Sequence, residues 1–190
     1  MKNSANQPNN AFHTSLGVLR SVVGQSVTSV YYKCSNDAPM DLGWNEGAMI
    51  HEVDQAVVIS TASQTIVLEW RIIDGHEFLD IVGVPNEAAT AGIADAHDVA
   101  SLPPWQFLMT SEIAGFGIAM QPSGDGVESL WALRIDFVGQ ASVVVALGEL
   151  RGGVPDYQPD NLLVIFDPDT ASFYQVLDAS ESSWGRDLHL

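Results

Sequence analysis

Two stretches limit what this chain can fold into more than any other feature, 53–73 and 130–150. Each reads as two apolar strands folded about a short polar turn: Thr61-Ala62-Ser63-Gln64 in the first, Val138-Gly139-Gln140-Ala141 in the second. Apolar runs of strand length, rich in Val, Ile, Leu and Thr and bounded by turn residues, pair as antiparallel hairpins.

The order of signals around the two hairpins repeats. Phe12, Leu16, Leu19 and Val23 share one face at helical spacing, and Gly24 stands where a helix takes its C′ residue. QSVTSVYYK, 25–33, alternates and carries the Val, Thr and Tyr of a strand. A long connection, 34–49, then leads to the first hairpin, and 77–84 forms a further strand before Pro85. In the second half a helix over 105–114 follows Pro103-Pro104 and stops at Gly115. A short strand over 116–120, a turn over 122–126 and the second hairpin come next. The expected fold is α+β and mainly antiparallel β. Two tandem helix–strand–hairpin units would form a pseudo-twofold sheet or sandwich with two or three short helices. The boundaries are a disordered leader 1–11, a first unit 12–84, a linker 85–104, a second unit 105–178 and a tail 179–190, all in one compact domain. Within the second unit, 151–161 reads as a loop, 162–166 as a buried strand, 167–170 as a turn and 173–177 as its returning partner strand. The tail is polar apart from Trp184.

Composition narrows the function. With 46% hydrophobic residues in 190, a folded domain is expected rather than an acidic disordered tail. No run approaches the roughly 18 apolar residues of a membrane span, and MKNSANQPNN has no apolar core, so it is not a secretory signal. The single cysteine, Cys34, rules out an internal disulfide, and together with that N-terminus it makes the cytoplasm the expected compartment. Acidic residues number 24 against 7 basic ones, a net charge of −17. Such a surface repels a phosphate backbone and an anionic membrane, and attracts a strongly basic protein.

Catalytic signals are weak. Three His–acid pairs, His51-Glu52, His76-Glu77 and His97-Asp98, offer metal-ligand chemistry but lack the spacing that sets two imidazoles on one helical face. They read as polar loop-edge residues. Cys34 follows Lys33, which would lower a thiol pKa, yet it ends a strand and reads as a small packed residue. The carboxylate pairs Asp125/Glu128, Asp156/Asp160 and Asp167/Asp169 arise by chance in so acidic a chain, and no G-x-S-x-G elbow or calcium-loop pattern is present. No catalytic residue, metal ligand or cofactor is therefore assigned.

What remains is surface. The connection after β-type 25–33 gathers Asp37, Met40, Asp41, Trp44, Glu46 and Met49, followed by His51 and Glu52; a second acidic-aromatic loop holds Asp156, Tyr157 and Asp160. Aromatic anchors ringed by carboxylates suit a basic protein partner. The expected binding residues are Asp37, Asp41, Trp44, Glu46, Glu52, Asp156, Tyr157 and Asp160. The leading expectation is a non-enzymatic binding domain, most concretely a bacterial immunity-type inhibitor of a basic toxin or nuclease. A metal-dependent hydrolase using the His–acid pairs is the alternative. A self-associating structural subunit, pairing strand edges into a homo-oligomer, is the third reading.

Overall fold

The computed structural model describes residues 8–34, 48–73, 75–92, 96–122, 128–157, 160–177 and 179–190. In chain order these form α1 (Pro8–Val22), β1 (Val27–Lys33), β2 (Ile50–Val53), β3 (Ala56–Thr61), β4 (Thr65–Ile73), β5 (His76–Val84), α2 (Asn86–Gly92), β6 (Ala96–Asp98) and α3 (Pro103–Leu108). There follow β7 (Ile113–Pro122), β8 (Glu128–Phe137), β9 (Ser142–Leu147), β10 (Glu149–Arg151), β11 (Val154–Asp156), β12 (Leu162–Ile165), α4 (Pro168–Phe173) and β13 (Arg186–Asp187). The class is mainly antiparallel β with short helices, as the sequence reads.

Strands assemble into a five-stranded sheet of order β5-β4-β3-β1-β6, a six-stranded sheet of order β13-β7-β8-β9-β12-β2, and a small β10-β11 ribbon. One contiguous apolar core draws on both larger sheets and on α1. β8, β9 and β12 are buried along nearly their whole length, as central strands covered on both faces must be. β1 and β4 instead alternate toward one buried face. Leu19 and Val22 of α1 are fully buried, and Ser15 Oγ donates to the Ile81 carbonyl at 3.0 Å, fastening the helix to β5. No helix among the described residues is long and apolar enough to cross a membrane.

Both organising hairpins form where the turn chemistry places them. β3 and β4 pair from Ala56↔Glu69 to Ser60↔Thr65. β8 and β9 pair about a turn whose Gly139 and Gln140 both take positive φ, 99° and 74°, the twist that a tight hairpin needs. Gly24 does end α1, at φ 80°, and its N–H donates to the Ile113 carbonyl, tying the helix end to β7.

Other expectations are corrected. α1 begins at Pro8, inside the supposed leader. The linker 85–104, whose Ala-rich sequence leaves room for a short helix, carries one in α2, and beyond expectation it adds β6 on the edge of β1 and the start of α3. α3 stops at Leu108 because Met109 turns extended and Thr110 takes φ 65°; Gly115 is therefore not a helix end but lies within β7. The supposed loop 151–161 contains β11, folded back on β10 about Gly152-Gly153. The supposed returning strand 173–177 is absent: Asp167-Pro168-Asp169-Thr170 opens α4 instead, with Asp167 accepting from Thr170 N. Asp, then Pro at the first helical position, serves a helix start as well as it serves a turn. β12 finds its partners in β9 and β2. The tail also departs from expectation, since β13 pairs with β7 and Trp184 packs on the core.

Candidate partner-binding site

Asp37, Asp41, Trp44 and Glu46 lie outside the described residues, as does Met40. The remaining expected contacts fall in two groups. Glu52 faces away from the core: its Oε2 accepts from Leu150 N at 2.9 Å and its Oε1 from Asn161 Nδ2 at 2.6 Å. Asp156 pairs with Arg151 at 3.2 Å, and Arg151 also reaches Glu149 at 3.1 Å. Tyr157 is half-buried and donates its hydroxyl to Glu77 Oε2 at 3.1 Å, with burial pushing its pKa up. Glu52 of β2 and the Tyr157–Glu77 bond to β5 thus brace the β10–β11 ribbon against the two larger sheets, while Asp156 pairs across the ribbon itself. Asp160 is exposed in the turn that follows.

All three histidines lie in strands: His51 inside β2, His97 inside β6, and His76 as the first residue of β5 beside the Gly75 turn, a loop edge as expected. Successive strand side chains point to opposite faces, so a histidine and the acid beside it diverge. β2 shows this directly, with His51 fully buried while Glu52 braces the ribbon outside. Among the described residues, no three His, Cys, Asp or Glu side chains gather as a metal site. Cys34 packs against the core, and burial raises its thiol pKa rather than Lys33 lowering it.

His51 belongs to a buried polar chain. Trp105 Nε1, which can only donate, reaches the Tyr32 hydroxyl oxygen at 2.6 Å, and that hydroxyl lies 2.9 Å from His51 Nδ1. The Tyr32 hydroxyl thus accepts from Trp105 and shares a hydrogen bond with Nδ1 whose direction follows the imidazole tautomer. Nε2 finds no hydrogen bond of ordinary geometry among the described residues. Tyr32 and Phe166 stand edge-on to the ring. Burial lowers the His51 pKa to about 4, with the Ala48 backbone offsetting part of that. A neutral imidazole so enclosed is a packing group.

Two open concavities lie side by side where β2, α3 and α4 meet. The first, about 400 Å³, is apolar and is walled by Met49, Pro104, Phe107, Leu108, Phe166 and Pro168. The second, about 470 Å³, mixes Ile50, Val154 and Phe173 with the carboxylates of Asp167 and Asp169. Met49 lines the first and Ile50 the second, and the run Phe166, Asp167, Pro168, Asp169 alternates between the two. In α3, Trp105 and Leu108 turn inward at helical spacing and leave Phe107 78% exposed. Phe173 is 87% exposed at the end of α4, and Met49 is 47% exposed. Asp167 is held below the usual carboxylate range by its capping bonds to Thr170, so it stays charged. The sequence points to Met49 and shows Asp167 and Asp169 only as a chance carboxylate pair, and it gives Phe107 and Phe173 no mark. The available signal was WQFL, where Trp105 and Leu108 three apart claim the inner face and force Phe107 out.

The chain matches no family model, no curated protein and no solved structure.

Proposed function

We propose that the protein is a non-enzymatic binding domain for a strongly basic protein, most concretely an immunity-type inhibitor that covers the working surface of a cationic toxin or nuclease. One observation carries the reading: exposed Phe107, Phe173 and Met49 stand beside the carboxylates of Asp167 and Asp169 on a chain of net charge −17. Exposed aromatics supply desolvation energy at the centre of an interface, and surrounding carboxylates steer and orient a positive partner. Arg151, on the adjoining ribbon, is engaged by Glu149 and Asp156 and does not counter that field.

The partner to test first is a basic product encoded beside this gene. Its association rate with the full chain should fall steeply from low to high salt, because screening removes the steering. An on-rate indifferent to salt would defeat the electrostatic reading.

The tandem arrangement belongs to the same proposal. It is supported by two strand sequences laid down in order, β1-β3-β4-β5 and β7-β8-β9-β12, each with a helix before it and after it. β2 departs from the pattern by crossing to the second sheet. Superposing residues 8–92 on 103–173 tests the repeat, which requires α1 to overlay α3 and the four strands to align in order.

A further inference from the structure

We infer that the paired concavities read one short extended segment of the partner, in which a bulky apolar residue stands two or three positions from a lysine or arginine. This rests on the basic-partner reading and adds what the partner must present. The apolar concavity has the volume of one or two large side chains and is walled by Phe107, Leu108 and Phe166, with three prolines and Met49 around them. It fits an aromatic or leucine-like anchor. Beside it, Asp167 and Asp169 flank Pro168, so the apolar wall and the carboxylates share three consecutive residues.

Pro168 lines one seat and Asp169 the other, and consecutive Cα atoms lie about 3.8 Å apart, so the seats share a wall that an extended segment crosses within roughly 10 Å. An extended chain covers that distance in about three residues. Charge selects the occupant. A second copy of this chain brings another −17 to the contact and is repelled. A segment with flanking lysine or arginine is drawn in, and its cation lies beside Asp169 while its apolar residue leaves water. A lysine-rich segment without the anchor leaves the apolar wall wet, and an anchor without the cation leaves the carboxylates unmatched.

The test is fluorescence anisotropy of the full chain with three labelled peptides of equal length. One holds a tryptophan flanked by lysines, one replaces the tryptophan by serine, and one replaces the lysines by glutamine. The first should bind about tenfold or more tighter than either control. Phe107→Ser should remove that advantage without shifting the unfolding midpoint, and Asp169→Asn should weaken binding and flatten its salt dependence. Equal binding of the tryptophan and serine peptides overturns the anchor while leaving the basic-partner reading intact. Equal binding of the lysine and glutamine peptides overturns both. Binding of a folded basic protein with no binding of any peptide overturns the extended segment alone. A concentration-dependent dimer abolished by Phe107→Ser would assign the face to a second copy and overturn the inference.

Discussion

His51 shows how one side chain's surroundings set its chemistry. Its fully buried ring packs edge-on against Tyr32 and Phe166, with Trp105 behind them both, and its ordinary pKa near 6.5 falls to about 4. Above 6.5 the ring is neutral in both folded and unfolded chains. Between 6.5 and 4 the unfolded chain takes up a proton that the folded one refuses, so stability falls as pH falls through that window. The loss attributable to His51 amounts to about 3 kcal/mol. Denaturant unfolding of the wild type and of His51→Leu across this window measures it. The difference between their pH slopes isolates the histidine from the carboxylates, and identical slopes would count against the sealed ring. Trp105→Phe should cost about 1–3 kcal/mol, since it strips the donor from a buried hydroxyl. The sequence made His51 visible as a candidate ligand but could not show its burial. That depends on Tyr32 arriving from β1 and Phe166 from the end of β12, residues remote along the chain.

At the scale of elements, the C-terminal segment is held by one cation. Arg134 of β8, itself 5% exposed, grips Asp136 through two bonds of 2.8 and 3.1 Å and donates to the Trp184 carbonyl at 2.9 Å. It also pairs with Asp187 of β13, and its guanidinium lies 4.6 Å over the Trp184 ring. Two glycines make room for this clamp. A Cβ on Gly117 would meet Arg134 Cζ at 2.7 Å, and one on Gly185, at φ 64°, would meet the Ile118 carbonyl oxygen at 2.3 Å. Arg134→Ala should cost about 3 kcal/mol and release β13 from β7. Limited trypsin digestion reads this as cleavage at Arg186 before the core is cut. Survival of that site at the wild-type rate would show that the strand holds without the clamp. Neighbouring elements were legible to different depths. The hairpins β3–β4 and β8–β9 followed from local alternation and turn residues. α4 and β13 did not, because Asp-Pro opens a turn or a helix with equal chemistry and a two-residue strand has no periodicity to read.

For the molecule as a whole, the balance of charge acts on stability and on recognition in opposite directions. A net −17 on a compact fold repels itself, and salt screens that repulsion. The thermal midpoint should therefore rise with salt at neutral pH while affinity for a basic partner falls. A calorimetric salt series checks the first part, and a falling midpoint would mean that ion pairs such as those of Arg134 outweigh the repulsion. Phe107→Ser should stay within about 0.5 kcal/mol of wild type, because that ring touches solvent more than core.

Charge, class and the two hairpins were determined by the sequence alone, since composition and period-two alternation need no knowledge of distant residues. Tertiary structure alone decided that β2 leaves its neighbours for the second sheet, that Glu52 and Tyr157 brace a ribbon, and that Phe107 and Phe173 come to flank the carboxylates of Asp167 and Asp169. Those outcomes rest on partners remote along the chain, as Val53 of β2 meets Leu162 of β12 and Tyr157 meets Glu77, and local pattern carries no term for such a partner.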